Sequence, residues 1–137
     1  MIQRRSPTLQ LEAKFKSDRI AMKIGILNTG NLGSRLARAW AHAGHDLILA
    51  KDGEDRKLAP LLAELGDRAR LGTIREAAEA GDVVLFSVYW PRMVAVVGEA
   101  REALHGKVVI ETMNPLNVDA DFRHAHDLAF MQESSTA

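Results

Sequence analysis

Apolar and polar positions follow one another along the chain in blocks that predict strands alternating with helices. The first block, Lys23–Leu27, is a short apolar run that is typical of a buried parallel strand. Apolar side chains then recur three and four positions apart, which predicts a helix that ends before Gly44; they are Leu32, Leu36, Ala37, Trp40 and Ala41. The apolar run His45–Ala50 predicts a second buried strand.

The same alternation continues through the centre of the chain. Four leucines at helical spacing predict a helix over Arg56–Leu65, with Pro60 in an early turn where its missing N–H matters least. Thr73 and Glu76 fit a capping box at the start of a brief helix. The other predicted elements are a strand over Ala69–Leu71, the end of the brief helix at Ala80, a strand over Asp82–Val88, a helix over Pro91–Leu104 closed by Gly106, and a strand over Lys107–Thr112.

This order of elements predicts an α/β fold. Strands that alternate with helices form a doubly wound parallel sheet, here of strand order 3-2-1-4-5, with helices on both faces. Ligands of such sheets bind in the crevice beyond the carboxyl ends of the strands, at the point where the strand order reverses. We therefore expect Asn28–Leu32 to face Ser87–Trp90 across that crevice.

A glycine turn joins the first strand to the first helix. Gly30 and Gly33 would let backbone N–H groups approach phosphate oxygens at the positive end of the helix, which predicts a dinucleotide site. Asn28 replaces the first glycine of G-x-G-x-x-G, but Asn tolerates left-handed backbone angles better than other non-glycine residues. A methyltransferase that uses S-adenosylmethionine also has a glycine turn here, but a turn that runs straight into a helix favours a diphosphate.

Composition narrows the range of partners. The chain has 137 residues, 47% of them hydrophobic, which suffices for one domain with one core. Its formal net charge is zero and it has no basic stripe interleaved with aromatic residues, so we expect no nucleic-acid partner. The absence of cysteine excludes disulfides and thiolate chemistry and agrees with a cytoplasmic location. No apolar run is long enough for a bilayer, so we expect no membrane partner.

The two ends of the chain differ from its centre. Residues 1–21 are net basic and match neither a signal peptide nor a transit peptide, so we expect a disordered leader, or an upstream start codon before a natural start at Met22. Residues 22–117 would form the dinucleotide-binding domain and residues 118–137 a polar tail. Five tail residues could bind a divalent ion, but a polar surface segment explains them without a metal, and we predict no metal site; they are Asp119, Asp121, His124, His126 and Asp127.

Several segments together resemble one family. They are Lys23–Leu27 with Thr29–Gly33, Ala43–His45, Val83–Val88 before Trp90, Lys107–Ile110, and Asn114–Leu116. Over residues 22–137 the chain resembles the NADP oxidoreductase family that includes the deazaflavin (coenzyme F420)-dependent NADP reductases. The resemblance implies a Rossmann domain that binds NADP(H) and passes hydride between nicotinamide and an acceptor that the sequence does not identify.

The glycine turn, the resemblance and the charge of Lys51 together predict which residues contact the coenzyme. The turn would hold the pyrophosphate, Lys51 would lie at the ribose end, and the ends of strands four and five would line the nicotinamide. The predicted coenzyme-binding residues are Asn28, Thr29, Gly30, Asn31, Leu32, Gly33, Lys51, Ser87, Val88, Tyr89, Asn114 and Pro115. The sequence identifies no catalytic residue. Hydride transfer needs no protein nucleophile, because the cofactor carries the chemistry.

Three positions depart from the pattern of the family. Asn28 stands in place of a glycine, Tyr89 in place of the usual proline, and Asp52 in place of the usual arginine after strand two. An acid there favours the ribose 2′-OH of NAD, whereas a cation such as the preceding Lys51 favours the 2′-phosphate of NADP. The resemblance favours NADP, and NAD stays open.

The family's pattern also continues beyond this chain, through a sixth strand and further helices, so that Ala137 corresponds to an early C-terminus. We therefore expect strand five to be an exposed edge that a second copy or a partner could cover. This interpretation leaves two candidate functions. The chain is an oxidoreductase domain, or it is a nucleotide-binding module without turnover that acts as a sensor or as part of a larger assembly.

Overall fold

A five-stranded parallel sheet forms the centre of the protein, with the strand order β3-β2-β1-β4-β5. The structure is a computed structural model that describes residues 6–11 and 20–129. The strands are β1 (Lys23–Leu27), β2 (Asp46–Leu49), β3 (Ala69–Leu71), β4 (Val83–Phe86) and β5 (Val108–Glu111). In the central strand, Ile24 lies opposite Leu47 of β2 and Val83 of β4. The predicted fold class and strand order are confirmed.

Helices cover both faces of the sheet, as predicted. They are α1 (Asn31–His42), α2 (Ala59–Leu65), α3 (Ile74–Ala80) and α4 (Met93–Ala100). Helices α1 and α2 pack on the face that buries Ile26, Leu49 and Leu85. Helices α3 and α4 pack on the opposite face, where the neighbouring positions Leu27 and Phe86 are buried. This alternation follows from the strand geometry, because successive side chains point to opposite sides.

The local signals in the sequence act as predicted. Thr73 and Glu76 form a complete capping box, in which the Thr73 hydroxyl accepts from the Glu76 N–H at 3.1 Å and the Glu76 carboxylate accepts from the Thr73 N–H at 2.7 Å. Pro60 lies in the first turn of α2. Gly44 follows α1 with φ 95°, a left-handed conformation that glycine adopts without strain.

Several predicted elements are too long. The predicted strand Asp82–Val88 is β4, Val83–Phe86, because β1 ends at Leu27, directly opposite Phe86, and gives later residues no ladder. The predicted helix Pro91–Leu104 begins as a 3-10 turn, continues as α4 and ends in turns over residues 101–106. Strands β2 and β5 are also shorter than the predicted runs His45–Ala50 and Lys107–Thr112, and a 3-10 turn at Asp55–Leu58 replaces the start of the helix predicted over Arg56–Leu65.

Helix α3 approaches β1 very closely through two glycines. A Cβ atom on Gly25 of β1 would overlap the backbone carbonyl group of Ala77 in α3. A Cβ atom on Gly81, at the end of α3, would lie 2.7 Å from the Gly25 nitrogen. Contact between two backbones at this distance leaves no room for a side chain on either glycine.

A β-hairpin lies beyond the sheet, where the sequence analysis placed a polar tail from residue 118 and predicted no strand. Strand β6 (Leu116–Val118) pairs antiparallel with β7 (His124–His126). The Asp119 carboxylate makes the turn, because it accepts the N–H groups of Asp121 and Arg123, each at 2.9 Å. An aspartate that bonds to the backbone two residues further on is a turn signal visible in the sequence, and the prediction missed it.

The ends of the chain fall largely outside the structural description. Of the predicted leader, residues 1–5 and 12–19 lie outside the described residues, as do residues 130–137 of the predicted tail. Within the described ranges, no helix has both the length and the apolar character that a membrane crossing requires.

Candidate functional site

The turn between β1 and α1 has the shape that the sequence predicted. Asn28 adopts φ 63°, which confirms the left-handed conformation expected in place of the first glycine. The Thr29 N–H donates to the Ala50 carbonyl at 2.7 Å and ties the turn to the end of β2. Gly30 is the N-cap of α1, and a Cβ atom there would meet nothing within 4 Å. The turn is therefore held firmly on its inner side and open on its outer side.

The N-terminus of α1 presents free backbone donors beside this opening. The first bond into the helix runs from the Ser34 N–H to the Gly30 carbonyl at 2.8 Å. Among the described residues, the N–H groups of Asn31, Leu32 and Gly33 have no acceptor, and the first turn contains no acidic side chain. Free N–H groups and the helix dipole together attract an anion. An open surface depression of about 650 Å³ runs along the first turns of α1, lined by Asn31, Leu32, Ser34, Arg35 and Arg38.

The two glycines of the turn have different roles. Gly30 leaves open space beside the turn, because no atom lies within 4 Å of the position that its Cβ would take. A ligand can enter this space. Gly33 is buried, and a Cβ atom there would lie 3.2 Å from Cγ2 of Ile26 in β1. The structure thus shows Gly33 in close packing of the helix on the sheet. The sequence predicts instead that both glycines let backbone N–H groups approach a phosphate.

The side chain of Asn28 joins three strand ends. Its Nδ2 donates to the Ser87 carbonyl at 3.3 Å, and its Oδ1 accepts from the Asp52 N–H at 3.3 Å. The carboxyl ends of β1, β2 and β4 therefore meet at this amide, and Asn28 faces Ser87 across the crevice as expected. The backbone tolerance of Asn28 is visible in the sequence, whereas the hydrogen bonds of its side chain are not.

We expect Asn28→Ala to destabilise the protein by about 2 kcal/mol, because alanine keeps a strained left-handed backbone and loses both hydrogen bonds. Asn28→Gly is the matched control, since it loses the same bonds but relieves the backbone, and should cost about 1 kcal/mol less. Urea unfolding of the three proteins measures the difference. Equal losses in the two variants would show that backbone strain at residue 28 has no weight.

Charged groups surround the end of β2. The Lys51 ammonium lies 3.5 Å from the Thr29 carbonyl of the turn. The Arg92 guanidinium, from the 3-10 turn Trp90–Arg92 after β4, binds both carboxylate oxygens of Asp52, at 2.7 and 3.0 Å. These hydrogen bonds, helped by the charges of Arg92 and Lys51, hold the pKa of Asp52 below its ordinary value against the opposing effect of burial. Asp52 is therefore ionised at neutral pH.

The Arg92–Asp52 pair is not among the contacts that the sequence predicts. The two residues are 40 positions apart and belong to different crossover connections. The available signal was a basic residue in the first turn after strand four together with an acid after strand two. Only the strand order brings these two positions to the same edge of the sheet.

A second cavity, of about 220 Å³, lies beyond the ends of β4 and β5. The β6–β7 hairpin forms part of its wall. The cavity is lined by three of the residues predicted on the nicotinamide side, Val88, Tyr89 and Asn114. The other lining residues are Trp90, Thr112, Met113, Leu116, Val118 and His124.

The remaining two predicted residues of this group do not line the cavity. The Ser87 carbonyl accepts from Asn28, and the Pro115 carbonyl accepts from the Asp127 N–H at 2.7 Å. Their backbone groups therefore hold neighbouring segments in place. Contact of any of these residues with a coenzyme stays a prediction.

Two buried hydroxyl groups bear on whether a dinucleotide fits the crevice. Within the part of the chain that the structure describes, Oγ1 of Thr29 and Oγ1 of Thr112 are buried without a hydrogen-bond partner. Leaving a buried hydroxyl unsatisfied costs about 1–3 kcal/mol, so such groups need an explanation. One lies in the glycine turn and the other belongs to a residue that lines the second cavity. Both positions, together with the free N–H groups of α1, fit a ligand that extends along the crevice.

Features outside the crevice give no second candidate site among the described residues. A cavity of about 140 Å³, lined in part by Lys23 and Asp46, lies at the amino ends of β1 and β2, the edge of the sheet opposite to the crevice. His45 Nδ1 accepts from the Met22 N–H at 3.2 Å and so secures the start of β1. Among the described residues, no group of three or more histidine, aspartate or glutamate side chains could hold a metal ion.

Residues 23–115, which contain the turn and the ends of β1, β2 and β4, match the profile of the family described as NADP oxidoreductase, coenzyme F420-dependent. The chain belongs to this family. The predicted resemblance is thus confirmed. The matched segment ends at Pro115, so it covers the five-stranded sheet and stops before the β6–β7 hairpin.

A curated relative agrees with this membership, and solved structures agree with the fold. The F420-dependent NADP reductase of Methanothermobacter marburgensis is 32% identical over 103 residues, which are 70% of this chain and 46% of that protein. A solved structure from Arthrobacter sp. FB24 has a TM-score of 0.66 at 23% identity and covers 78% of this chain and 51% of its own. A reductive aminase of Aspergillus terreus, solved with NADPH and ethyl levulinate, has a TM-score of 0.57 at 25% identity and covers 69% of this chain and 33% of its own. The chain thus spans about half or less of the length of these relatives.

Proposed function

We propose that this chain is the NADP(H)-binding domain of an oxidoreductase that passes hydride between nicotinamide and a deazaflavin acceptor. The observation that carries the proposal is the open glycine turn at Gly30, which faces the free N–H groups at the start of α1. Family membership supports the acceptor class, because a curated relative is an F420-dependent NADP reductase.

The residues of the chain suit the binding and orientation of a dinucleotide. The N–H groups of Asn31 and Leu32 would donate to the diphosphate, and Lys51 would lie beside the adenosine end. Val88, Tyr89 and Asn114 line the cavity at the other end of the crevice, which would receive the nicotinamide. When bound, the nicotinamide itself supplies the hydride chemistry. The contribution of the protein is to hold the ring in one orientation beside the acceptor.

Titration of the purified chain with NADPH tests the proposal, with binding measured by calorimetry or by coenzyme fluorescence. NADH is the matched control ligand, because it lacks only the 2′-phosphate. We expect saturable binding of NADPH, and loss of NADPH absorbance after addition of a 5-deazaflavin. Failure of both coenzymes to bind would overturn the proposal.

A second candidate function is coenzyme binding without turnover by the chain alone. Strand β5 favours it, since Val108, Val109 and Ile110 are 63%, 42% and 38% exposed and the strand is one of the two edges of the sheet. An exposed apolar edge is suited to cover by another segment or by a second protein. Binding of NADPH with no oxidation by a deazaflavin, a flavin or a carbonyl acceptor would favour this candidate, and steady turnover would reject it.

A further inference from the structure

Arg92 reaches across the end of the central strand. It belongs to the turn after β4, its partner Asp52 follows β2, and β1 lies between these two strands. The pair thus bridges the ends of β2 and β4, which the Asn28 amide also links through the Ser87 carbonyl and the Asp52 N–H. The ion pair holds the guanidinium beside the end of β2, where a dinucleotide of this fold places its adenosine ribose.

The guanidinium uses only one of its two edges in this pair. Nε and one Nη2 hydrogen bind the Asp52 carboxylate. Among the described residues, Nη1 and the second Nη2 hydrogen have no acceptor, and the Arg92 side chain is 53% exposed. A planar fork of two N–H donors matches two oxygens of a phosphate group. Arg92 can therefore hold Asp52 and a phosphate at the same time.

Asp52 itself is unsuited to the role that an acid usually has here. A free carboxylate after β2 accepts a hydrogen bond from a ribose 2′-OH and repels a 2′-phosphate. In this chain Arg92 donates one hydrogen bond to each carboxylate oxygen and offsets the negative charge, and only 16% of the Asp52 side chain is exposed. Lys51 adds a second cation next to the pair. Asp52 is thus paired with Arg92, and the fold brings this arginine to it from a distant part of the sequence.

We propose that Arg92, held in place by Asp52, binds the 2′-phosphate of NADP(H) and determines the preference of the site for NADP over NAD. The assignment rests on the proposed function, and it names the residue that recognises the coenzyme's distinguishing group. In this chain Asp52 follows β2, and Arg92 brings a guanidinium to this strand end from the turn after β4.

The variant Arg92→Gln tests the assignment. We expect the Kd for NADPH to rise about 10- to 100-fold, since a hydrogen-bonded charge contact is lost, while the Kd for NADH changes less than about threefold. Arg92→Lys keeps the charge without the fork and should fall between the wild type and Arg92→Gln. Adenosine 2′,5′-bisphosphate and adenosine 5′-monophosphate, which lack nicotinamide, should reproduce the difference between NADPH and NADH.

Arg101→Gln is the matched control, because this exposed arginine follows α4 at the end away from the crevice. It should leave both Kd values as in the wild type. Equal losses for NADPH and NADH in Arg92→Gln would overturn the assignment, since Arg92 would then contact a part that the coenzymes share. Unchanged binding of NADPH would overturn it as well. A wild-type chain that binds neither coenzyme would instead refute the proposed function, so the two failures are distinguishable.

Discussion

Replacement of Gly30 by aspartate is expected to abolish NADPH binding while the protein stays folded. A side chain at Gly30 enters open space, so the fold accommodates it. The carboxylate would bond to the free N–H groups of α1, as N-cap aspartates do, and would repel the diphosphate from the same place. We expect the Kd for NADPH to rise by about 100-fold or more, equivalent to about 3 kcal/mol. Calorimetric titration measures the loss.

Gly30→Asn is the control for this experiment. Asparagine has nearly the same shape and also caps helices, but it carries no charge, so its loss of affinity should be about tenfold smaller. Thermal unfolding should place both variants at or above the wild-type Tm, because each adds a cap that Gly30 lacks. If aspartate and asparagine weaken binding equally, charge repulsion is not the cause. If neither weakens it, the coenzyme binds elsewhere.

Replacement of Gly25 by alanine is expected to cause the largest loss of stability. The added methyl group would overlap the backbone carbonyl of Ala77, so α3 would have to move away from β1. Rigid backbone cannot yield as a flexible side chain does, and we expect a loss of about 3 kcal/mol or more, with a Tm lower by about 10 °C. Urea unfolding monitored by circular dichroism measures the change.

Gly98→Ala is the matched glycine-to-alanine control. Gly98 lies in α4, and a Cβ atom there meets nothing within 4 Å. Alanine should stabilise the helix by about 0.5–1 kcal/mol, since it has the better helix propensity. A Gly25→Ala protein as stable as the wild type would show that α3 and β1 are not in such close contact. Ala77→Gly should not rescue Gly25→Ala, because the overlap involves the backbone.

Much of the fold could be predicted because its signals are local. The run Lys23–Leu27 reports a buried strand through its own apolar character. Thr73 and Glu76 report a helix start three residues apart, and the structure has that capping box. The strand order followed from the alternation of strands and helices, because crossovers are short and right-handed. Element ends were less accurate, since the end of β4 depends on where its neighbour β1 stops.

The candidate site could be predicted only in part. The glycine turn and the left-handed Asn28 were visible, because the turn is a short segment with its own backbone requirements. The β6–β7 hairpin was missed, although the turn signal at Asp119 is local. The roles of the Asn28 amide and of Arg92 were not visible, since their partners lie far away in the sequence.

By itself, the sequence determined the α/β class, the strand order and the position of the glycine turn before α1, because each depends on patterns within one or two neighbouring elements. The tertiary structure decided which distant groups meet. It placed Arg92 on Asp52, across 40 positions, and it seated the backbone of Ala77 on Gly25. Charge and size are readable at each residue, but a contact depends on the relative position of two elements, and packing of the whole sheet sets that position.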